Sequence, residues 1–157
     1  MRALVTLAVV MVVITGGFAS DTYSGSEQDR SELQQTSEGI RAAFARGDVQ
    51  GILAYHHPDV VKALACNKFL NGRDALRADL SETLGHVRLE WLENHVESTL
   101  VQGNTAVEMT AFTIRGTPKD GGQPFVFKGR AMVVYVRYKG SPTGWASIRE
   151  VVQPATQ

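Results

Sequence analysis

Two groups of residues in this chain have types and settings that could do chemistry. The first is acid–base. Proton transfer in a pocket needs a carboxyl or imidazole whose pKa burial has shifted, together with a donor for the developing oxyanion. Glu108 in "TAVEMTAFTIR" and His57 in "YHHPDVV" are the candidates. The second is anion recognition. A guanidinium set in an apolar strand needs a carboxylate partner or an anionic ligand. Arg130 in "KGRAMVV" and Arg149 in "ASIREVV" have that setting. Tyr55 and Trp91 are aromatic side chains of the kind that wall a small-molecule site.

Other chemistries find less support. His56 and His57 are adjacent, so on a helix they would point in different directions and make a poor metal pair. The single cysteine, Cys66, has no C-x-x-C partner. As a nucleophile it would need a neighbouring base, and a small buried thiol is its plainer role. No metal and no cofactor are expected. The chain has 16 basic and 16 acidic residues, and no broad field for phosphate backbones or acidic membranes follows from that balance. Nucleic acid is therefore not an expected partner.

Residues 1–19 read as a secretory signal: Arg2, an uncharged apolar run from Ala3 to Thr15, and small residues at Gly17 and Ala19. The run would span roughly 20 Å as a helix, short of the ~30 Å hydrocarbon core. Cleavage is expected to leave a secreted or periplasmic protein without a membrane anchor. Polar residues 20–31 form a flexible lead-in, and one domain occupies 32–154.

Within that domain, "ELQQTSEGIRAAFARGD" has a helical apolar face ending at Gly47. Asp48 caps a second helix, "VQGILAYHH", closed by Pro58, so Tyr55 and His57 stand at its end. Two short strands follow, and then a third helix over "NGRDALRADLSETLG", stopped by Gly85. From His86 onward, alternation predicts a four-stranded antiparallel meander with a bulge near Glu93–Asn94 and a two-residue turn at Gly103–Asn104. Pairing across that turn sets Thr99 opposite Glu108, Glu97 opposite Thr110 and His95 opposite Phe112. The plainer assignment makes this polar set a solvated or dimer-facing surface; the sharper one makes Glu108 a pocket base. In the last hairpin, pairing Tyr138 with Trp145 puts Arg149 in phase with Trp145, Arg130 and Met132, and Glu150 on the other face. Helices first and strands after imply an α+β class.

Four stretches, "IRAAFARGDVQGILAYHHPDVV", "NGRDALRADL", "AMVVYVR" and "GWASIREVVQP", give the chain its resemblance to the nuclear-transport-factor-2-like superfamily. It most resembles the ketosteroid-isomerase-like and SnoaL-like, or polyketide-cyclase-like, branch. The resemblance implies a cone-shaped, strongly curved antiparallel sheet wrapped around the N-terminal helices, with a pocket between them. It also implies that the strand tryptophan and its alternate partners look inward, which places Arg149 in the pocket, and that members often dimerise through the outer sheet face. Three functions stay open. One is binding of a small hydrophobic, possibly carboxylated ligand walled by Tyr55 and Trp91 and anchored by Arg130 or Arg149. The second is cofactor-independent proton transfer (isomerisation, cyclisation or dehydration) with Glu108 or His57 as base. The third is a non-catalytic dimeric interaction module.

Overall fold

The computed structural model describes residues 22–65 and 67–155. The signal segment 1–19 and Cys66 lie outside the described residues. The first helix, α1 (Glu27–Arg46), starts from a reciprocal cap in which Asp29 N donates to Ser26 Oγ and Ser26 N to Asp29 Oδ2, both at 3.1 Å. It ends on Gly47, whose φ of 66° lets its N–H turn back to the carbonyls of Ala43 and Phe44. Part of the expected flexible lead-in is therefore structured. Strand β1 (Thr22–Ser24) pairs in parallel with the first meander strand, and residues 27–31 are helical. The S-x-x-D cap sets the start earlier than apolar periodicity does, because a cap acts ahead of the buried face.

Asp48 accepts from Gly51 N at 2.8 Å and caps α2 (Val49–Ala54). That helix stops at Ala54 rather than at Pro58. Strand β2 (His56–Leu64) claims the next residues for a parallel pairing with the last strand, joined at its start by Ser147 N donating to Tyr55 O at 2.9 Å. Strand β3 (Lys68–Asn71) returns antiparallel, and α3 (Gly72–His86) buries Leu76, Leu80 and Leu84 on one four-residue row. Gly85 does not end α3. Lys119 supplies donors instead, its Nζ to Leu84 O at 2.6 Å and its N to His86 O at 2.8 Å.

The meander is β4 (Val87–Gln102), β5 (Thr105–Pro118), β6 (Phe125–Arg137) and β7 (Trp145–Pro154). With the shorter strands it completes a seven-stranded, mostly antiparallel curved sheet in the order β1-β4-β5-β6-β7-β2-β3. The chain is thus α+β, with helices packed on the concave side. Two clusters form the core there. One joins the helices through Ile52, Leu53, Leu76 and Leu80; the other seats Leu33 of α1 on Ala106, Val133, Tyr135 and Trp145 of the sheet.

Three irregularities decide which residues face the helices. Leu92 and Glu97 are extra residues in β4, and Ile148 is extra in β7. Each inverts the alternation beyond it. The first lies beside the expected bulge; the other two change the expected faces. Thr99 and Glu108 pair as anticipated but point inward and are buried, whereas Leu100, Val107 and Met109 point outward. The bulge at Glu97 moves His95 opposite Ala111 and Val96 opposite Thr110. At the last hairpin Trp145 pairs with Arg137 rather than Tyr138, and Ile148 then separates the phase of Trp145 from that of Arg149.

Candidate functional site

Between the sheet and the helices lies a cavity of about 510 Å³. Its walls are mostly apolar: Phe44 from α1, Leu76 and Leu80 from α3, and Leu89, Trp91, Phe112 and Phe127 from the sheet. Phe44 and Trp91 meet as tilted rings with centroids 4.9 Å apart. A band of polar side chains crosses the strands from β5 through β6 and β7 to β2: Glu108, Tyr135, Glu150, Lys62 and His56.

Glu108 is 4 % exposed, and its Oε1 has no hydrogen-bond partner. Burial pushes its carboxyl up to about 7, against the opposing pull of the Arg41 charge and a hydrogen bond with Tyr135. The Tyr135 phenol is held well above 10 by burial first, then by the charges of Glu108 and Glu150, so it stays a neutral donor. His56 is buried, and desolvation first and the Lys62 charge second hold its imidazole well below 6.5. Its Nδ1 lies 2.8 Å from Ile52 O; a carbonyl only accepts, so Nδ1 carries the proton and Nε2 is the acceptor. Lys62 and Glu150 form a part-buried ion pair, and at the rim Lys68 pairs with Asp79. Arg41, from α1, donates to Ser37 Oγ at 2.6 Å. A carboxyl titrating near neutrality beside a neutral phenol can take a proton from a carbon acid and stabilise the resulting oxyanion. Among the described residues no three His, Cys, Asp or Glu side chains gather as metal ligands would.

Of the residues singled out in the sequence, the cavity brings together Glu108 and Trp91. The other four lie elsewhere. Tyr55 caps α2 and lays its ring against α1 at Gly39, where a Cβ would come within 2.3 Å of its hydroxyl. His57 alternates away from His56, stands edge-on to Tyr138 at 4.8 Å, and accepts from Asp59 N at 3.2 Å. Arg130 is on the convex face in a two-bond ion pair with Glu97, both contacts 2.7 Å. It borders an open groove of about 810 Å³ there, a shallow surface whose guanidinium is already satisfied. Arg149 is exposed and donates to the carbonyls of Asp59 and Ile148 at 2.9 and 2.7 Å. The Ile148 bulge turns Arg149 outward and brings Glu150 in, the reverse of the expectation from simple alternation. His56, Tyr135, Lys62, Glu150 and Arg41 were not singled out as site residues by the sequence. Strand alternation starting at His56 rather than a helix through His57 would have pointed to the correct histidine.

A family model described as a SnoaL-like domain matches residues 38–143. No curated protein matches the chain significantly. Among solved structures it is similar to a conserved protein from Planctomyces limnophilus, with 20 % identity and a TM-score of 0.73 over 83 % of this chain and 100 % of that one. It is also similar to a ketosteroid isomerase-like protein from Erwinia carotovora atroseptica, at 14 % identity and a TM-score of 0.71 over 84 % and 100 %. A nuclear transport factor 2-like superfamily protein from Salmonella enterica serovar Typhimurium gives 16 % identity and a TM-score of 0.69 over 82 % and 92 %. At these identities the likeness to solved structures concerns the fold.

Proposed function

The chain belongs to the family of SnoaL-like domains, and on that premise we propose that its cone binds a small, largely apolar molecule and moves a proton on it. Glu108 is the base and then the acid, and Tyr135 donates to the oxygen on which charge develops. The observation that carries this reading is the Glu108 Oε1, buried and without a partner inside a mostly apolar cavity. A buried acceptor left unmet costs about 1–3 kcal/mol, and a ligand proton supplies the missing bond. A proton taken from carbon and returned to the same ligand gives isomerisation; departure of a hydroxide as water gives dehydration.

Exchange of the α-protons of 2-tetralone in deuterated water, read by proton NMR, tests the assignment. The ketone is apolar, fits a cavity of this size and presents an acidic carbon. Because the carboxylate form is the base, the protein-dependent rate should rise with pH through about 7 and level off above it. Glu108→Gln should lower it by about 10²–10⁴-fold. An undiminished rate in that variant would remove Glu108 from the chemistry.

A further inference from the structure

A second cavity of about 330 Å³ lies between α1 and β4 and shares Ser37, Arg41, Asn94 and Glu108 with the cone. Arg41 and Glu108 therefore stand at the junction of an apolar chamber and a more polar slot, whose lining includes Gln34, Glu38, Ser98 and Thr99. The three cations lining the cone are not equivalent. Lys62 is neutralised by Glu150 and Lys68 by Asp79. Arg41 donates to the Ser37 hydroxyl, and among the described residues no carboxylate comes within ion-pair distance of it. A guanidinium carries five donors in a planar fork matched to a carboxylate, and one bond to a hydroxyl leaves most of that capacity unused.

We propose that the molecule taken up by the cone carries a carboxylate, and that Arg41 binds this group where the two cavities meet. This rests on the reading of the cone as a ligand pocket, and it gives Arg41 the anchoring role that the sequence suggested for Arg130 or Arg149. The polar slot keeps the ion pair partly hydrated, which limits the desolvation cost that a fully buried charge would meet. Phe44 lies one turn from Arg41 on the same face of α1, with Trp91 against it, so the apolar body of an anchored ligand runs into the chamber. Its carbons nearest the carboxylate then lie beside Glu108, the other junction residue. The substrate class that follows is a small aromatic or alicyclic carboxylic acid.

Calorimetric titration of the protein with 2-naphthoate and with 2-naphthalenemethanol, which share an apolar body and differ in charge, tests the anchor. The carboxylate should bind at least about tenfold more tightly. Arg41→Gln should erase most of that preference while leaving the alcohol's affinity within about twofold, which also reports that the cone is still folded. Arg41→Lys should restore part of the preference, since it keeps the charge and loses the fork. Equal binding of both probes by the unaltered protein, or equal weakening of both by Arg41→Gln, would overturn the anchor and leave the pocket standing. Binding of neither probe would remove the pocket and both readings with it.

Discussion

Glu108 is a residue whose placement costs stability. Its carboxyl titrates at about 4.5 when exposed and at about 7 in the fold. Because the folded pKa is the higher one, this side chain's stabilising contribution is complete below 4.5, falls as pH rises, and is lost above about 7. The interval corresponds to about 3 kcal/mol. Urea unfolding at about pH 4 and about pH 8 should therefore show a loss in the natural chain that Glu108→Gln largely lacks, and at the higher pH the variant should be the more stable by about 1–3 kcal/mol. A variant less stable than the natural chain at both pH values would mean that the carboxylate is well solvated or paired. Glu108 stands out as a candidate base although the polar phase it shares with Thr99 reads in sequence as a solvated or dimer-facing surface; Trp91 was legible because it stands in a strongly alternating strand. Arg41 was not, because a charged residue on a helix looks the same in sequence whether its face meets solvent or a cavity. His56 was hidden by a helical reading of "AYHH", which gave its neighbour the position at the pocket.

Elements, rather than residues, decide what those side chains face. The clamp between α1 and the β6–β7 hairpin shows how. Arg137 reaches from β6 to Asp29 and Glu32 on α1 while its guanidinium lies 4.2 Å from the centre of the buried Trp145 ring. Hydrogen bonds from Ser26 first, and Arg137 after them, hold the Asp29 carboxyl below 3.8; Gln28 first, and then Arg137, do the same for Glu32 below 4.5. Both pKa values are depressed by folding, so this contribution is present at neutral pH and is lost as pH falls through the lowered values. Arg137→Met, which removes the guanidinium from both carboxylates and from the Trp145 ring and leaves an apolar side chain in its place, should destabilise the fold by about 1–2 kcal/mol near neutrality. The deficit relative to the natural chain should shrink in acid; a deficit of constant size from about pH 7 to about pH 3 would show that packing on Trp145, not the carboxylates, holds the helix. The Asp48 cap, the Gly103–Asn104 turn and the order of helices and strands were all readable in the sequence, since each depends on local chemistry. The bulges at Glu97 and Ile148 were not. A bulge is fixed by the curvature of the whole sheet, and each one reverses every facing assignment beyond it.

At the scale of the molecule, the sheet has a second apolar surface. Reading across the strands on the convex side, Met109, Met132, Val151, Ala63 and Phe69 are register partners in one row. Leu100, Val107 and Val134 form part of the row beside it. Phe69 is 70 % exposed, Leu100 57 % and Val151 48 %. The α+β class was legible because the strands alternate and the turns are marked, yet alternation has two phases and both are apolar in β6 and β7. Apolarity therefore could not choose between them, and the inward tryptophan implied by the family resemblance, which put Arg149 in the pocket, stops being a guide beyond the Ile148 bulge. A contiguous exposed apolar row is the kind of surface at which proteins associate. We expect a second copy of the chain to cover it, because the same curved face on both partners allows a closed twofold contact in which these side chains meet. Met132 lies near the middle of the row, and a carboxylate there would be buried against its counterpart. Met132→Glu should convert a dimer, measured by light scattering behind a sizing column, to a monomer. The cone lies on the opposite side of the sheet, so 2-naphthoate affinity should stay within about threefold. A natural chain that is monomeric at all accessible concentrations would leave this surface to a different protein, and would favour the interaction-module reading over a self-contained enzyme.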